Sequence, residues 1–416
     1  MPTWRPWMPP ALEKPRVRQY VAGHIVSVLG NWFQQVALSW LVFRLTDSVF
    51  ALGLTGFLLN ISYLLFGGLA GALVDRVPRL PFLILIDLVL AALSVVLAGM
   101  VFAGVTDIRA YLAVAALIGV ANGFEMPVRQ SLFKDIVEDR RLLPSAIALS
   151  AMVFNTGRMI GPALAGVALL YVSEAWCFLI NAVSYAAIIV ALLAMHLPAS
   201  ASSFSPARPK TSMRENLHML GAFPAVRYLL PTVVALGLFA TPYVSLMPSI
   251  VTTFFDGQSS TVGLLMSASG IGAFGSALYL SLQPNYSRQL RLISSAPLVV
   301  GAALMAFAAS RSVMTSMLLL LVLSASMMMS TNSINAILQQ STPDEWRGRV
   351  IGLYAMAFAG MAPLGNLLAG VIAAKIGIPA TLALNGLLVI AAGLVGRWRL
   401  HNHPEAMRTL MRALRS

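Results

Sequence analysis

The chain has 416 residues, of which 58% are hydrophobic and 10% are charged, and its mean hydropathy is +0.81. Because soluble domains carry about 25% charged residues, this composition excludes an ordinary soluble enzyme and indicates an integral membrane protein. The formal net charge of +13 would suggest a nucleic-acid partner in a soluble chain, but the positions of the basic residues favour a different interpretation.

Apolar stretches long enough to cross a bilayer recur along the whole chain. They predict twelve helical spans, at 20–43, 51–73, 82–104, 110–132, 145–170, 176–197, 228–250, 261–283, 292–310, 314–338, 350–374 and 379–398. The expected organisation is a cytoplasmic N-terminal segment (1–19), an N-terminal six-helix bundle (20–197), a cytoplasmic linker (198–227), a C-terminal six-helix bundle (228–398) and a basic cytoplasmic tail (399–416). The linker is rich in Pro, Ser and Ala, and a short amphipathic helix is expected at 213–220.

Basic residues are distributed very unevenly between the two sides of the predicted bundle. If the N-terminus is cytoplasmic, most of the 28 lysines and arginines fall in cytoplasmic segments. The outer side holds Arg44, Arg109, Arg311 and Lys375, while Arg129 and Arg158 lie within spans. This asymmetry predicts that both termini are cytoplasmic and explains the net charge as a topology signal, with no nucleic-acid partner.

A glycine- and proline-rich pattern lies in span five and returns about 200 residues later in span eleven. In span five, Gly157 and Gly161 form a small-residue face, and Pro162 leaves the carbonyl of Arg158 without its helical partner. Gly161 corresponds to Gly365 in the second copy. Such paired, interrupted segments in two halves of a chain point to the binding site of a transporter.

Polar side chains recur at helical spacing in three spans, where they would be costly facing lipid. They are His24, Ser27, Asn31, Gln34 and Gln35 in span one, Asn122, Glu125 and Arg129 in span four, and Ser324, Asn332, Asn335 and Gln339 in span ten, where the apolar Met328 lies on the same face. Two interpretations stay open: these stripes line a substrate cavity, or they form hydrogen bonds that hold the helices together. Asn155, Arg158 and Tyr243 complete the predicted substrate cavity.

Glu125 is the candidate proton carrier, together with Asp87 and His24. Glu125 lies four residues before Arg129, the favourable order for an ion pair on one helix. A carboxylate whose surroundings alternate between an apolar wall and an arginine can take up and release a proton. A static Glu125–Arg129 salt bridge with no role in coupling is the competing interpretation. Asp87 lies about one turn inside span three, and His24 can titrate near neutral pH.

Two motifs resemble those of the major facilitator superfamily. The loop at 71–79 is similar to its Gly-x-x-x-Asp-Arg-x-Gly-x-Arg motif, although Pro78 replaces the second glycine; 157–166 resembles the Gly-x-x-x-Gly-Pro motif of proton-coupled antiporters. The stretches at 27–32, 145–149, 157–162 and 347–349 resemble the branch that holds enterobactin exporters and macrolide-efflux pumps. In that branch an aspartate often occupies the position of Asn31, so one proton carrier is missing here.

The resemblance implies a gate and a helix contact. Asp75, Arg76 and Arg79 would close the cytoplasmic side against charges of the other half, with Arg347 and Arg349 as partners. Gly157, Gly161 and Pro162 would pack tightly against span eight, where Gly263, Ser267, Gly270 and Gly275 offer small residues in return.

We therefore expect an all-α integral membrane protein with the major facilitator fold, twelve helices in two pseudo-symmetric bundles. The expected function is proton-coupled antiport that exports an amphipathic drug or siderophore-like metabolite by alternating access, in a bacterial cytoplasmic membrane and as a monomer. Because none of the four lysines follows a glycine, no phosphate-binding loop is present and no ATPase activity is expected. The five histidines show no metal-ligand spacing, so no metal is expected, and no cofactor is expected either. A lysophospholipid transporter and a non-transporting receptor are the alternatives.

Overall fold

The computed structural model describes residues 9–74, 77–137, 139, 141–195, 223–282 and 286–402, and the regular elements within them are helices. A short 3-10 helix, Pro10–Glu13, precedes α1. The helices are α1 (Pro15–Thr46), α2 (Val49–Val74), α3 (Arg79–Phe102), α4 (Ile108–Val137), α5 (Leu143–Tyr171), α6 (Glu174–Ala194), α7 (Pro224–Ala235), α8 (Met247–Phe255), α9 (Ser259–Leu282), α10 (Tyr286–Ala309), α11 (Val313–Ser341), α12 (Asp344–Phe358), α13 (Met361–Ile376) and α14 (Ile378–Asn402).

The helices account for the twelve predicted spans. Within the described ranges, ten segments are long and apolar enough to cross a membrane, with α12 and α13 counted together. Two shorter apolar helical segments lie at the positions of spans two and seven. They are Val49–Ser62, which is the first part of α2, and Pro224–Ala240. The all-α membrane fold is therefore confirmed. The division into domains stays a prediction, since most of the 198–227 linker and the 399–416 tail lie outside the described residues, as does the helix expected at 213–220.

Two spans are broken, and only one of the breaks follows the predicted pattern. Span eleven is interrupted between α12 and α13, at residues 359–360, as the second glycine–proline copy suggests. The prediction of a continuous span seven was wrong, because α7 ends in a π-helical turn, Leu236–Ala240, and α8 begins only at Met247. Pro242 offers no N–H to the last carbonyls of that turn, and the hydroxyl of Thr241 donates to the Gly237 carbonyl instead, at 2.7 Å.

Span five, in contrast, is a single continuous helix although Pro162 lies inside it. The interruption expected there is absent from α5. The helix is held at this point by its neighbour α9: the backbone N–H of Ala163 donates to the hydroxyl of Ser267 at 3.0 Å. A partner helix thus supplies a hydrogen bond where the proline disturbs the helix's own ladder.

The two halves contact each other through helix pairs that meet at glycine residues. On α5 and α9, a Cβ atom added to Gly166 would lie 3.0 Å from the Cα of Gly263, and one added to Gly270 would lie 2.6 Å from the carbonyl oxygen of Arg158. On α2 and α13, a Cβ added to Gly53 would lie 2.8 Å from the Cα of Gly370. Real Cβ contacts this short are essentially never seen, so only glycine permits these backbones to approach so closely.

The pattern of close approaches repeats between the halves. Gly161 of α5 lies against Trp32 of α1, and its counterpart Gly365 of α13 lies against Leu238, in the π-helical turn where span seven breaks. Gly166 and its counterpart Gly370 each lie against a glycine of the opposite half. Corresponding positions therefore have corresponding neighbours, as expected for two pseudo-symmetric bundles.

The predicted partner of Gly157 and Gly161 was wrong. A Cβ on Gly161 would lie 2.6 Å from the Cβ of Trp32, and one on Gly157 would meet Val28, so this face packs on α1 within the same half. The contact between spans five and eight does exist, but Gly166 lies five residues beyond Gly161. At 100° per residue this places it about 140° further round the helix, on a different face.

The contacts between halves lie toward one end of the bundle, which we call the Asp47 end because Asp47 joins α1 to α2 there. Gly166 is close to the C-terminus of α5, and Gly263 is close to the start of α9. Gly53 and Gly370 lie near the corresponding termini of α2 and α13. Small residues therefore seal the bundle at the Asp47 end.

Substitution of Gly270 by alanine should loosen the α5–α9 contact at the middle of the two helices, because the new methyl would overlap the backbone of Arg158 and Met159. Overpacking typically costs about 1–3 kcal/mol, and about 1.4 kcal/mol changes a population ratio tenfold. We expect roughly a tenfold rise in the labelling rate of a cysteine placed between α5 and α9 and reached from the Asp47 end.

Gly275→Ala is the matched control, because a Cβ on Gly275 of the same helix meets no atom within 4 Å. Labelling of this variant should equal that of the parent protein. Equal labelling of the Gly270 and Gly275 variants would show that the α5–α9 contact does not hold this end closed.

Candidate functional site

A cavity of about 360 Å³ lies in the N-terminal half and is open to the polar faces predicted for α1 and α4. Its volume is within the usual range for small-molecule sites, roughly 300–1,000 Å³. It is lined by His24, Val28, Asn31, Trp32, Gln34, Gln35, Leu38, Leu59, Asn60, Ile118, Asn122, Glu125, Met126, Arg129, Phe154 and Tyr185. The predicted stripes of spans one and four therefore face one common space.

Two carboxylates bind one guanidinium in the wall of this cavity. Arg129 Nε donates to Glu125 Oε1 at 3.0 Å, and Arg129 Nη2 donates to Asp87 Oδ1 at 3.1 Å. A further hydrogen bond joins Nη2 to Glu125. The side chain of Asp87 is 0% exposed, that of Arg129 11% and that of Glu125 17%. We call this group the Asp87–Arg129–Glu125 cluster.

The cluster arises from one local and one tertiary relation. Glu125 and Arg129 are adjacent on the surface of α4 because they are four residues apart. Asp87 comes from α3, which packs beside α4 and points this carboxylate at the same guanidinium. With both acids ionised, the cluster holds one more negative than positive charge, and uptake of one proton would make it neutral.

His24 lines the cavity beside the cluster, and one of its two ring nitrogens forms no hydrogen bond with the described residues. Its ring stacks on Tyr20, with 5.3 Å between centroids. Its Nδ1 is buried and has no hydrogen-bond partner among the described residues. The stacking and the buried Nδ1 are typical of a structural histidine, and the role of His24 as a proton carrier stays a prediction.

Some of the remaining polar residues of α1 form hydrogen bonds that hold the helices together, and another faces the cavity. Gln34 Oε1 accepts hydrogen bonds from Ser94 at 2.6 Å and from Asn181 at 2.9 Å, and so links α1 to α3 and α6. Asn31 Oδ1 accepts from the hydroxyl of Tyr185 at 2.8 Å. Gln35 is exposed to the cavity, without a hydrogen-bond partner in the described part of the chain.

A second cavity of about 100 Å³ shares Trp32 and Phe154 with the first and extends toward the C-terminal half. Arg158 of α5 lines it, together with Tyr243 from the break in span seven. Tyr243 is fixed by a hydrogen bond between its hydroxyl and that of Ser269, at 2.7 Å, and Ser269 in turn donates to Ser324 at 3.1 Å. The two cavities together follow the interface between the halves.

Several predicted cavity residues do not line either space. Met328, Asn332 and Asn335 of α11 contribute to neither lining. Asn335 Oδ1 instead accepts a hydrogen bond from Gln339 at 3.1 Å. Asn155 donates to the carbonyl of Ala151 on its own helix, at 2.8 Å. A period of 3.6 residues identifies a polar face but does not say which neighbour the face meets.

The predicted gate is described only in part, because Asp75 and Arg76 lie outside the described residues. Arg79 Nη1 donates to Asp135 Oδ2 at 3.2 Å, within the same half. Arg347 Nε donates to the carbonyl of Gln339, and the guanidinium of Arg349 lies 4.6 Å from the Trp346 ring centre. These three arginines therefore contact residues of their own halves in this structure.

Sequence reasoning missed Asp135, Ser94, Asn181 and Tyr185. Asp135 lies beyond the predicted end of span four at residue 132, but α4 continues to Val137 and presents this carboxylate to Arg79. Ser94 and Asn181 are isolated polar residues in apolar spans, and their burial at 0% is the signal that identifies them as helix-joining groups.

A family model described as "Transmembrane secretion effector", of the major facilitator superfamily, matches residues 6–411. The chain belongs to this family. Relatives include the staphyloferrin A transporter of Staphylococcus aureus, which is 27% identical over 388 residues, or 91% of this chain and 94% of the relative. The macrolide efflux protein A of Streptococcus pyogenes is 23% identical over 90% of this chain and 93% of the relative. The multidrug efflux pump Tap of Mycolicibacterium fortuitum is 25% identical over 88% and 91%.

Solved structures of transporters share the fold of this secretion effector. One is a bacterial homologue of the human lysosomal transporter Spinster in an inward-facing, unoccupied conformation, with a TM-score of 0.72, 12% identity and coverage of 96% of this chain and 98% of that one. Another is a bacterial homologue of the iron transporter ferroportin in an inward-facing state, with a TM-score of 0.69, 15% identity and the same coverage. These likenesses confirm the major facilitator fold.

Replacement of Arg129 by leucine should strongly destabilise the protein, because Asp87 and Glu125 would lose their shared counter-charge inside the bundle. Breaking a buried ion pair in this way typically costs about 3–5 kcal/mol. Unfolding of the purified protein in detergent measures the loss. Arg109→Leu is the comparison: Arg109 is exposed at the start of α4 and forms no ion pair among the described residues, so a change within about 0.5 kcal/mol is expected.

The triple variant Asp87→Asn, Glu125→Gln, Arg129→Leu should recover most of this stability, since the uncompensated charges are gone. Equal stability of Arg129→Leu and the parent protein would show that the cluster does not form in the folded membrane protein.

Proposed function

We propose that this secretion effector is a proton-coupled antiporter that exports an amphipathic small molecule by alternating access. The observation that carries the proposal is the Asp87–Arg129–Glu125 cluster in the wall of a cavity large enough for a small molecule. The exported class would be a drug or a siderophore-like metabolite, as the names of the relatives suggest.

The composition of the cluster suits proton exchange. One guanidinium balances one carboxylate, so the second carboxylate carries an excess negative charge in a poorly solvated place. Binding of a proton removes that charge, and release restores it. Glu125 keeps some exposure to the cavity, whereas Asp87 is sealed from it; Glu125 is therefore the group through which a proton would enter, and Asp87 the second carrier.

Access would alternate through the helix pairs that meet at the Asp47 end. With both termini in the cytoplasm, as the basic residues indicate, the Asp47 end faces outward and the present arrangement is closed to the outside. Similarity to transporters in inward-facing states supports this assignment. In the outward-open form, α5 and α9 would separate while Arg79, Arg347 and Arg349 meet partners across the halves.

Location and assembly follow from the same reasoning. The basic asymmetry favours a bacterial cytoplasmic membrane with cytoplasmic termini. A monomer suffices, because both halves of the cavity come from one chain.

The character of the cavity favours a substrate with polar groups over a lysophospholipid. Its wall carries an ionic cluster, three amide side chains of α1 and a histidine. An acyl chain could not form hydrogen bonds with these groups. An apolar groove of about 640 Å³ between α1, α5 and α6 lies on the lipid-facing side of the bundle, where membrane lipid would fill it.

Coupling can be tested in proteoliposomes with a pH-sensitive dye trapped inside and a panel of a macrolide, staphyloferrin A and a fluorescent lysophospholipid. The wild-type protein should move protons only when one of the soluble compounds is present. Glu125→Gln and Asp87→Asn should each abolish this flux and retain substrate binding, since the amides preserve shape and lose the exchangeable proton.

Glu174→Gln is the matched control, because Glu174 is also buried and also pairs with an arginine, Arg44 at 2.9 Å, but lies at the Asp47 end away from the cavity. This variant should keep the wild-type flux. Normal proton flux in both cluster variants would contradict proton coupling at this site, and movement of the lysophospholipid alone would favour the lipid alternative.

A further inference from the structure

Arg158 lies in the middle of a membrane-spanning helix, and its guanidinium has no counter-charge among the described residues. It lies halfway along α5. Among the described residues, its guanidinium takes part in no ion pair or hydrogen bond, in contrast to that of Arg129, which binds two carboxylates. A charge at this depth is costly unless it is paired or faces a cavity.

The guanidinium of Arg158 faces the space between the two halves. Arg158 lines the 100 Å³ cavity with Trp32, Phe154, Tyr243 and Ser269. The nitrogens of Arg158 are not among the buried atoms that lack a hydrogen-bond partner. They are therefore accessible to a ligand in this cavity. The surrounding groups are two aromatic side chains on the N-terminal side and the tyrosine–serine pair on the other.

This combination suits a particular kind of ligand. A guanidinium binds a carboxylate through two parallel hydrogen bonds, and aromatic rings offer flat apolar surface for a ring system. The adjoining 360 Å³ space would hold the remainder of the molecule, since Trp32 and Phe154 line both cavities. The cluster around Arg129 offers no comparable site, because its guanidinium is already bound on two sides.

We propose that Arg158 binds an acidic group of the transported molecule, so that the substrate is an anionic amphipath carrying a carboxylate. This assignment rests on the proposed export function and specifies its substrate class. The anion supplies the counter-charge that the described residues do not provide. Outward movement of an anion is also favoured by a membrane potential that is negative inside, which agrees with the direction of export.

The assignment can be tested by equilibrium binding without any ion gradient. Fluorescein carries a carboxylate and is an anion at neutral pH, whereas rhodamine 6G has a related ring system, an ester in place of the acid, and a positive charge. Fluorescence anisotropy with purified protein in a neutral detergent measures the affinity for each dye. The wild-type protein should bind fluorescein more tightly than rhodamine 6G.

Arg158→Gln should weaken fluorescein binding about ten- to hundredfold, the usual worth of a hydrogen bond to a charged group. Its affinity for rhodamine 6G should be unchanged or higher, which also shows that the cavity is intact. Arg158→Lys keeps the charge but loses the forked geometry, and should give an intermediate affinity. Arg109→Gln removes the same charge from an exposed position at the start of α4, and should bind both dyes as the wild type does.

Competition identifies the source of the acidic group. Displacement of fluorescein by staphyloferrin A supports a soluble carboxylate, whereas displacement only by lysophosphatidylglycerol assigns the site to a lipid phosphate and overturns the carboxylate. Equal fluorescein affinity in the wild type and in Arg158→Gln, or preference of the wild type for rhodamine 6G, would also overturn the proposal.

The two proposals fail in different ways. Arg158-dependent binding without proton-driven transport would leave this assignment standing and refute coupling. Proton-driven transport with binding independent of Arg158 would support coupling and refute the assignment of Arg158.

Discussion

The pairing of Asp87 and Glu125 with the single guanidinium of Arg129 is the interaction on which the rest of the N-terminal half depends. An unpaired charge inside a helical bundle is costly, so each of these groups requires the others. The neutral bonds around them, from Gln34 to Ser94 and Asn181, keep α1, α3 and α6 in register with the cluster. The excess of one carboxylate is what makes this arrangement suitable for proton exchange as well as for stability.

The contacts between the halves rest on a different principle, the removal of side chains. Gly166 against Gly263 and Gly53 against Gly370 bring backbones together, and the hydrogen bond that the hydroxyl of Ser259 donates to the Gly166 carbonyl there, at 3.2 Å, is between neutral groups. A seal of this kind gains from close packing and can part without exposing buried charge. The charged cluster lies within one half, so separation of the halves would change its exposure while leaving its internal hydrogen bonds in place.

Much of this architecture is readable in the sequence. Apolar length predicts the twelve spans, spacing of four residues predicts the Glu125–Arg129 bond, and the resemblance to the major facilitator superfamily predicts contact between spans five and eight. The partner of Asp87 is not readable, because it depends on how α3 rotates against α4. For the same reason the face containing Gly157 and Gly161 was assigned to the wrong neighbour, and Asn332 and Asn335 were placed in a cavity that they do not line. Helical periodicity fixes a face, and tertiary packing decides what that face meets.

Infrared spectroscopy of the protein in lipid tests most directly whether the cluster exchanges a proton. A protonated carboxyl group has its own carbonyl stretching band, distinct from that of a carboxylate. Exposed carboxylates also give this band when the pH is lowered, so the informative signal is the change in the band when substrate binds at a fixed pH. The wild type should show this change. It should be missing from the double variant Asp87→Asn, Glu125→Gln and present in Glu174→Gln. The same substrate-dependent change in wild type and double variant would contradict the account, because the exchanging carboxyl would then lie elsewhere.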